Sequence, residues 1–344
     1  MSSRLHVLRF DRLVRRKVHI TEQLRLEEAL FRADDRNWCI INTGMGGRAR
    51  RGGSNGVLAS DDYINLSSYD GQTPTIVLGI SGKPAKLTDL SRVRREKLPL
   101  FRRFTGGGTV VVDEGTTFIS LVCNKAAGPL PARATVGPRE LMRWSAFLYA
   151  RALAQCGLQV SENFDETVSS DGSGFQGFRE ENQIITNCCN ENSAYRKEKK
   201  YDDKDGVPLS FKLKENDYVL GDKKFAGNAQ GLSRDRFVHH TSVLWDFDPD
   251  TMSVLSNPER QPDYRRHRSH DNFLCKLCEV LPRRDALPDA IIHELDSMGF
   301  DILEMDPDDP YLAEVLLRKH HKSNSHVNAD NEKLATGLVQ NRWE

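Results

Sequence analysis

Three adjacent glycines, Gly106, Gly107 and Gly108, stand directly before a β-branched run in FRRFTGGGTVVVDEG, residues 101–115. Glycine loses more backbone freedom on folding than any other residue, so three in a row need a compensating reason. Two reasons compete: a plain structural turn, and a backbone surface that a ligand must approach closely. Either way the chain enters a strand, predicted over 109–113, from a loop without side chains, and a second strand follows at 117–123.

Around this point strands and helices mix without βαβ regularity. The segment TEQLRLEEALFRA places Leu24, Leu26, Leu30 and Phe31 on one helical face, with Thr21 as the expected cap and glutamates in the early turns. WCIINTG and PTIVLGISG read as strands, and 138–155 reads as a helix with an apolar stripe from Leu141 to Leu153. DYVLGDKKFAGNAQG reads as a hairpin and FVHHTSVLWDFD as a further strand. Two polar stretches, about 46–72 and 161–208, lack any sustained period and are expected to be disordered insertions. DNFLCKLCEVL and PDAIIHELDSMGF are expected to be helices. The predicted organisation is one domain over 1–262, a helical C-terminal extension over 263–321 and a polar, disordered tail over 322–344. The expected fold class is α+β, a mixed or antiparallel sheet with helices packed on one face.

Composition narrows the function classes. Lys plus Arg equals Asp plus Glu at 49 each among 344 residues, so no global field draws the chain to nucleic acid or an anionic membrane. No apolar run approaches the roughly 20 residues that a membrane-spanning helix needs. Seven cysteines scattered through the chain are unlike a secreted disulfide framework and point to a reducing compartment. The basic N-terminus, MSSRLHVLRFDRLVRRKVH, fits a mitochondrial leader or a first strand equally. The expected location is therefore the mitochondrial matrix or the cytoplasm.

Backbone N–H groups without Cβ atoms can form a nest for an anion, and Arg102 and Arg103 add charge just upstream. No Lys-Ser or Lys-Thr follows the glycines, so the run is not a P-loop. A second constellation, ENDYVLGDKKFAGNAQ, brings Asn216 and Asp217 ahead of a strand, then Lys224, Gly227, Asn228 and Ala229. A lysine beside small residues again suits an acidic group held against backbone. A solvated surface lysine is the competing reading for Lys224 taken alone.

Together these segments resemble the lipoate-protein ligase A family, with its biotin/lipoate protein ligase catalytic domain. RRFTGGGTVVVD is similar to that family's RRxSGGGxVxHD, KFAGNAQ to its KxxGxAx, and HHTSVL to its HHGTLL strand. EQLRLEEALF matches the opening helix in which the family carries a paired acid, and the motifs keep the family order over about residues 5–247. The resemblance implies the mixed-sheet, class II synthetase-like fold and a two-step reaction. ATP and lipoate, or octanoate, give an acyl-adenylate, which a lysine of a lipoyl domain attacks. Implied acceptors are the glycine cleavage H protein or E2 subunits of 2-oxoacid dehydrogenases. By the same resemblance Lys224 is the catalytic residue. The glycine loop (Thr105, Gly106, Gly107, Gly108) lies along the acyl chain and adenylate, and Arg103 neutralises phosphate. Asn216 and Asp217 serve the nucleotide and its Mg2+, Asp217 as metal ligand. Gly227 and Ala229 leave room for the adenylate, and His240 borders the pocket.

The chain departs from the pattern at Thr105 (serine in the family), Val112 (histidine) and Thr241 (glycine). The short stretch after 247 raises a requirement for a separate accessory chain or a pre-activated donor. Two alternatives follow from the same fold: an ATP-independent octanoyl or lipoyl transferase, with Cys123 as the nearest thiol, and a catalytically silent paralogue that binds acyl-adenylate or a lipoyl domain. Cys275 and Cys278, with His267 and His270 nearby, form a weak metal candidate. DYRRHRSH is either a basic patch for an acidic partner or a solvated turn. His239 and His240 adjoin on a strand and must face opposite sides.

Overall fold

The computed structural model describes residues 3–12, 18–43, 73–127, 130, 136–165, 209–257, 259, 261–323 and 337–338. The expected insertion at 46–72 lies outside these residues, as does that at 161–208 beyond 161–165. In chain order the strands are β1 (Arg4–Arg9), β2 (Asn37–Thr43), β3 (Thr75–Leu78), β4 (Leu100–Arg102), β5 (Val110–Val112), β6 (Thr116–Asn124), β7 (Gln159–Asp165), β8 (Ser210–Lys214), β9 (Asp217–Leu220), β10 (Lys223–Leu232), β11 (Arg236–Leu244), β12 (Asp301–Met305) and β13 (Gly337–Leu338). The helices are α1 (Ile20–Ala33), α2 (Pro84–Leu87), α3 (Leu90–Glu96), α4 (Pro138–Gln155), α5 (Pro249–Met252), α6 (His270–Phe273), α7 (Ala286–Ser297) and α8 (Pro310–Ser323).

Nine strands form one mixed sheet in the order β12-β1-β2-β6-β11-β10-β9-β8-β7, and four form a second, β13-β4-β3-β5. Period-two alternation sends the large sheet's side chains to two cores. Leu5, Val7, Cys39, Ile41, Ile119 and Leu121 pack against α4 and α7 on one face. Leu8, Trp38, Ile40, Val122 and Val238 pack against α1 and α8 on the other. The α+β class is as expected, but helices cover both faces, because the central strands are buried on both sides.

Helix α1 is a wedge between the sheets. Leu26, Ala29 and Leu30 enter the large-sheet core, whereas Ile20 and Leu24 meet Val77, Phe101 and Val112 of the small sheet and Phe118 of β6. Its cap is His19, not Thr21. The His19 side chain accepts from the Thr21 amide and Glu22 accepts from the His19 amide, a reciprocal box that leaves Thr21 inside the first turn.

The C-terminal region also differs from expectation. DNFLCKLCEVL contains only the single turn α6 and a 3-10 turn at Leu277–Glu279. After α7 the chain makes β12, which pairs in parallel with β1. Leu277, Leu287, Ile291, Leu295 and Phe300 belong to the same core as α4, so 263–321 completes the large sheet rather than forming a helical appendage. In the predicted tail, Gly337 and Leu338 pair with β4. Among the described residues no helix is long and apolar enough to cross a membrane.

Leu24, wholly buried where α1 meets both sheets, gives the fold's first test. Leu24→Ala is expected to lower unfolding free energy by about 2–5 kcal/mol, read from the denaturant midpoint at unchanged m-value.

Candidate functional site

The glycine loop runs from β4 to β5 and rests on β10. The Gly106 amide donates to the Gln230 carbonyl at 3.1 Å, so this N–H belongs to the fold and not to an anion nest. Gly107 has φ +98°, and a Cβ built there would meet Arg103 Nη2 at 2.9 Å, Ala229 Cβ at 3.0 Å and the Asn228 carbonyl at 3.1 Å. Only glycine fits that approach. The loop is interlocked with the turn after β3: the Ile80 amide donates to the Thr105 carbonyl at 2.9 Å, and a Cβ at Gly79 would meet the Gly107 carbonyl at 2.2 Å. Gly107 and Gly108 present bare backbone to solvent.

Both arginines organise this backbone. Arg102 Nη1 donates to the carbonyls of Gly79, Ile80 and Gly82. Arg103, only 3% exposed, donates to the Gly106 carbonyl (3.2 and 3.0 Å), the Gly108 carbonyl (2.6 Å) and the Val77 carbonyl (3.4 Å). Burial pushes its guanidinium down to about 10, with Glu27 acting against the shift. The donors of Arg103, expected to meet phosphate, face the carbonyls of Gly106 and Gly108 in the loop and of Val77 in β3.

The second constellation is the β9–β10 hairpin. Lys224 Nζ pairs with Asp217 Oδ1 at 2.7 Å, and Tyr264 donates to Asp217 Oδ2 at 2.8 Å. A β-bulge between Lys224 and Ala226 breaks the ladder here, and the Lys224 carbonyl instead accepts from the Cys275 amide at 2.9 Å. A Cβ at Gly227 would meet Lys224 Nζ at 3.1 Å. Gly227 and Ala229 share one face of β10, about 7 Å apart. The lysine therefore lies against one position and the glycine loop against the next on that face. Asn216, in the turn before β9, is exposed, and its carbonyl accepts from Asn228 Nδ2 at 3.1 Å.

His240 lies beneath the loop, 1% exposed, and does not border open space. Its Nε2 is 2.7 Å from Thr105 Oγ1 and its Nδ1 is 2.8 Å from Glu27 Oε2. His239 faces the other way, accepting from Gln230 Nε2 at 3.1 Å. Burial, reinforced by His240, pushes His239 down to about 3. Thr241 donates to Asn228 Oδ1 at 2.8 Å, on the same opposite face.

The remaining candidates do not converge here. Cys123 packs in the α4 core, and burial pushes its thiol up to about 12. Cys275 is likewise pushed up to about 12, and among the described residues no group of three or more His, Cys, Asp or Glu could hold a metal. In DYRRHRSH, Arg265 is buried over the Phe273 ring at 4.7 Å and Arg268 pairs with Asp222 at 2.7 Å, so these two arginines serve the fold. Asp217 does not fit a resident Mg2+, because one oxygen faces an ammonium and the other a phenol donor.

Sequence reasoning missed Tyr264, Glu27 and Gly79. Tyr264 is 47 residues from Asp217, and nothing local announces the pairing. Glu27 was visible only as one of two adjacent acids, beside Glu28 in EQLRLEEALF, and Gly79 as a glycine directly after a strand.

Two tests follow from this geometry. Gly107→Ala should cost about 1–3 kcal/mol of stability through the positive φ and the close contacts, measured by thermal unfolding. Gly108→Ala, with nothing within 4 Å of its built Cβ, should be near neutral. His239 has a folded pKa below its ordinary 6.5, so its neutral form is favoured in the fold. Its contribution is complete above pH 6.5 and is lost as pH falls towards 3. His239→Gln should flatten the fall in unfolding free energy over that window by about 1.4 kcal/mol per pH unit.

A family model for the lipoyl protein ligase A/B catalytic domain matches residues 57–295. A relative named inactive lipoate–protein ligase 2, from Plasmodium falciparum, is 28% identical over 284 residues, covering 76% of this chain. The chain spans 62% of that relative's length in return. A lipoate-protein ligase A bound with ATP shares the fold at a TM-score of 0.54 and 17% identity, over 93% of this chain and 95% of the other. A bi-partite lipoate protein ligase from Thermoplasma acidophilum, described with its E2 lipoyl domain, has TM-score 0.54 and 15% identity over 100% of each chain. With well over half of its length matched by the family model, the chain belongs to the lipoyl protein ligase A/B catalytic domain family.

Proposed function

We propose that this chain attaches lipoate or octanoate, through an acyl-adenylate, to a lysine of a lipoyl-domain acceptor. The carrying observation is the shared face of β10, where Lys224 Nζ lies against Gly227 and the glycine loop lies against Ala229. That arrangement leaves a strip lined by nothing larger than the Ala229 methyl beside one ammonium. It suits a ligand with an extended acyl tail and a single concentrated negative charge.

In the first step a carboxylate oxygen of the acid attacks the α-phosphorus of ATP, and pyrophosphate leaves. In the second the acceptor lysine amine attacks the acyl carbonyl, and AMP leaves with the bonding pair. Negative charge develops beside the α-phosphate and acyl oxygens in both steps. Lys224 is the group placed to stabilise it, once the incoming charge replaces Asp217 as its partner. Thr105 and Gly106 to Gly108 carry the acyl-adenylate along their backbone, and Arg103 keeps that backbone in place. Asn216 and Asp217 border the nucleotide end. Magnesium enters as the counter-ion of ATP. Support for ATP comes from the nucleotide-bound neighbour, and support for a lipoyl-domain partner from the neighbour described with its E2 domain. Glycine cleavage H protein and 2-oxoacid dehydrogenase E2 subunits are the candidate acceptors, and a separate accessory chain for activation is compatible with the reading.

A second reading is favoured by one observation, the inactive relative. In it the chain accepts only preformed acyl-adenylate, or binds it without turnover. A thiol-based transferase is disfavoured by the burial of Cys123 on the far face of the sheet.

Mass spectrometry of an apo lipoyl domain tests these readings, with lipoate, ATP and Mg2+ in one tube and synthetic lipoyl-adenylate in another. The proposal expects an adduct in both. An adduct with adenylate alone assigns only the transfer step, and none in either sinks the enzymatic reading. Lys224→Ala should reduce the rate of adduct formation by about 10²–10³-fold, with unfolding unchanged within about 1 kcal/mol.

A further inference from the structure

Beneath the glycine loop lies a buried polar line of which the reaction described above uses only the last member, Thr105. Glu27 of α1, wholly buried, has three neighbours on its carboxylate: Ser120 Oγ at 2.6 Å and Gln23 Nε2 at 2.7 Å on Oε1, and His240 Nδ1 at 2.8 Å on Oε2. The other nitrogen of His240 is 2.7 Å from Thr105 Oγ1, and Thr105 is itself 1% exposed. The line thus runs from α1 across β11 to the residue that opens the glycine run, and it joins groups 78 or more positions apart in the chain.

We propose that Glu27 is a positioning residue for the glycine loop, acting through His240 on Thr105. Packing alone would not need it: an acid buried without compensation is costly, and an apolar residue of similar size would fill the space. What the acid adds is direction. A carboxylate acceptor fixes the imidazole ring and its tautomer, so that Nε2 can accept a hydrogen bond from the Thr105 hydroxyl. The fixed hydroxyl then holds the Thr105 backbone, whose carbonyl receives the Ile80 amide and whose neighbour Gly106 donates to Gln230. These two amides report the loop's position directly.

The test is hydrogen exchange at the Ile80 and Gly106 amides in the ligand-free protein, in Thr105→Val, Thr105→Ser, Glu27→Met and the double variant Glu27→Met/Thr105→Val. Glu294→Met is the control, since Glu294 is a buried acid bonded to Arg151 and Gln155 far from the loop. Thr105→Val and Glu27→Met should each lower protection at both amides by about tenfold beyond any change in core amides. The double variant should lose no more than either single one, because both cut the same line. Thr105→Ser, which keeps the hydroxyl, should retain protection. Should Glu27→Met fail to fold, the Thr105 pair decides by itself. Loop protection in Thr105→Val that falls no further than in Glu294→Met overturns the proposal, as does an additive double variant. That the loop so held serves an acyl-adenylate rests on the functional reading, which binding of a hydrolysis-resistant lipoyl-adenylate analogue tests separately. If wild type does not bind the analogue while the exchange pattern holds, the functional reading fails and the positioning role of Glu27 stands.

Discussion

The site depends on one buried cation. Arg103 gives up almost all of its solvent to reach three backbone carbonyls, two of them in the glycine loop. Desolvating a guanidinium costs several kcal/mol unless hydrogen bonds replace the lost water, and these carbonyls supply that replacement. The loop in turn has no side chains of its own with which to pack. Each therefore needs the other: the glycines let the carbonyls converge on Arg103, and Arg103 keeps three glycines in one conformation.

From that constraint the geometry of the open face follows. A loop held this way can approach β10 to van der Waals distance at Ala229, which requires small residues on the strand. The same requirement, repeated two positions earlier at Gly227, clears a path for the Lys224 side chain. Lys224 is in turn restrained by Asp217, and Asp217 by Tyr264 from the segment after β11. The ammonium thus has a carboxylate partner that keeps it placed and compensated.

Much of this was legible in the sequence, for local reasons. The helix over 138–155, the β9–β10 hairpin and the two strands after the glycines follow from periodicity, Pro138 at a first helical turn, and the Gly221–Asp222 turn. The two motifs of the site were visible as small residues beside a cation. What the sequence concealed was non-local. Arg103 reads as a free basic residue until the carbonyls of Val77 and Gly108 are brought to it. His240 reads as a pocket residue until α1 is laid beneath β11. The parallel pairing of β12 with β1 joins segments nearly 300 residues apart, and a short half-exposed strand of mixed composition carries no clean alternation to announce it. Thr21 reads as the cap because histidine in that role is uncommon, although Glu22, three residues after His19, announces the other half of the box.

The central claim is that the strip of β10 between Gly227 and Ala229 receives an acyl-adenylate, with Lys224 as its charge partner and Arg103 as its frame. A crystal structure of the protein with a hydrolysis-resistant lipoyl-adenylate analogue tests it most directly. The account predicts the phosphate mimic within about 3 Å of Lys224 Nζ, the Lys224–Asp217 pair opened, the acyl tail along Gly106 to Gly108, and Arg103 still on its carbonyls. A ligand bound elsewhere, or an Arg103 that leaves the loop to meet the phosphate, would contradict it.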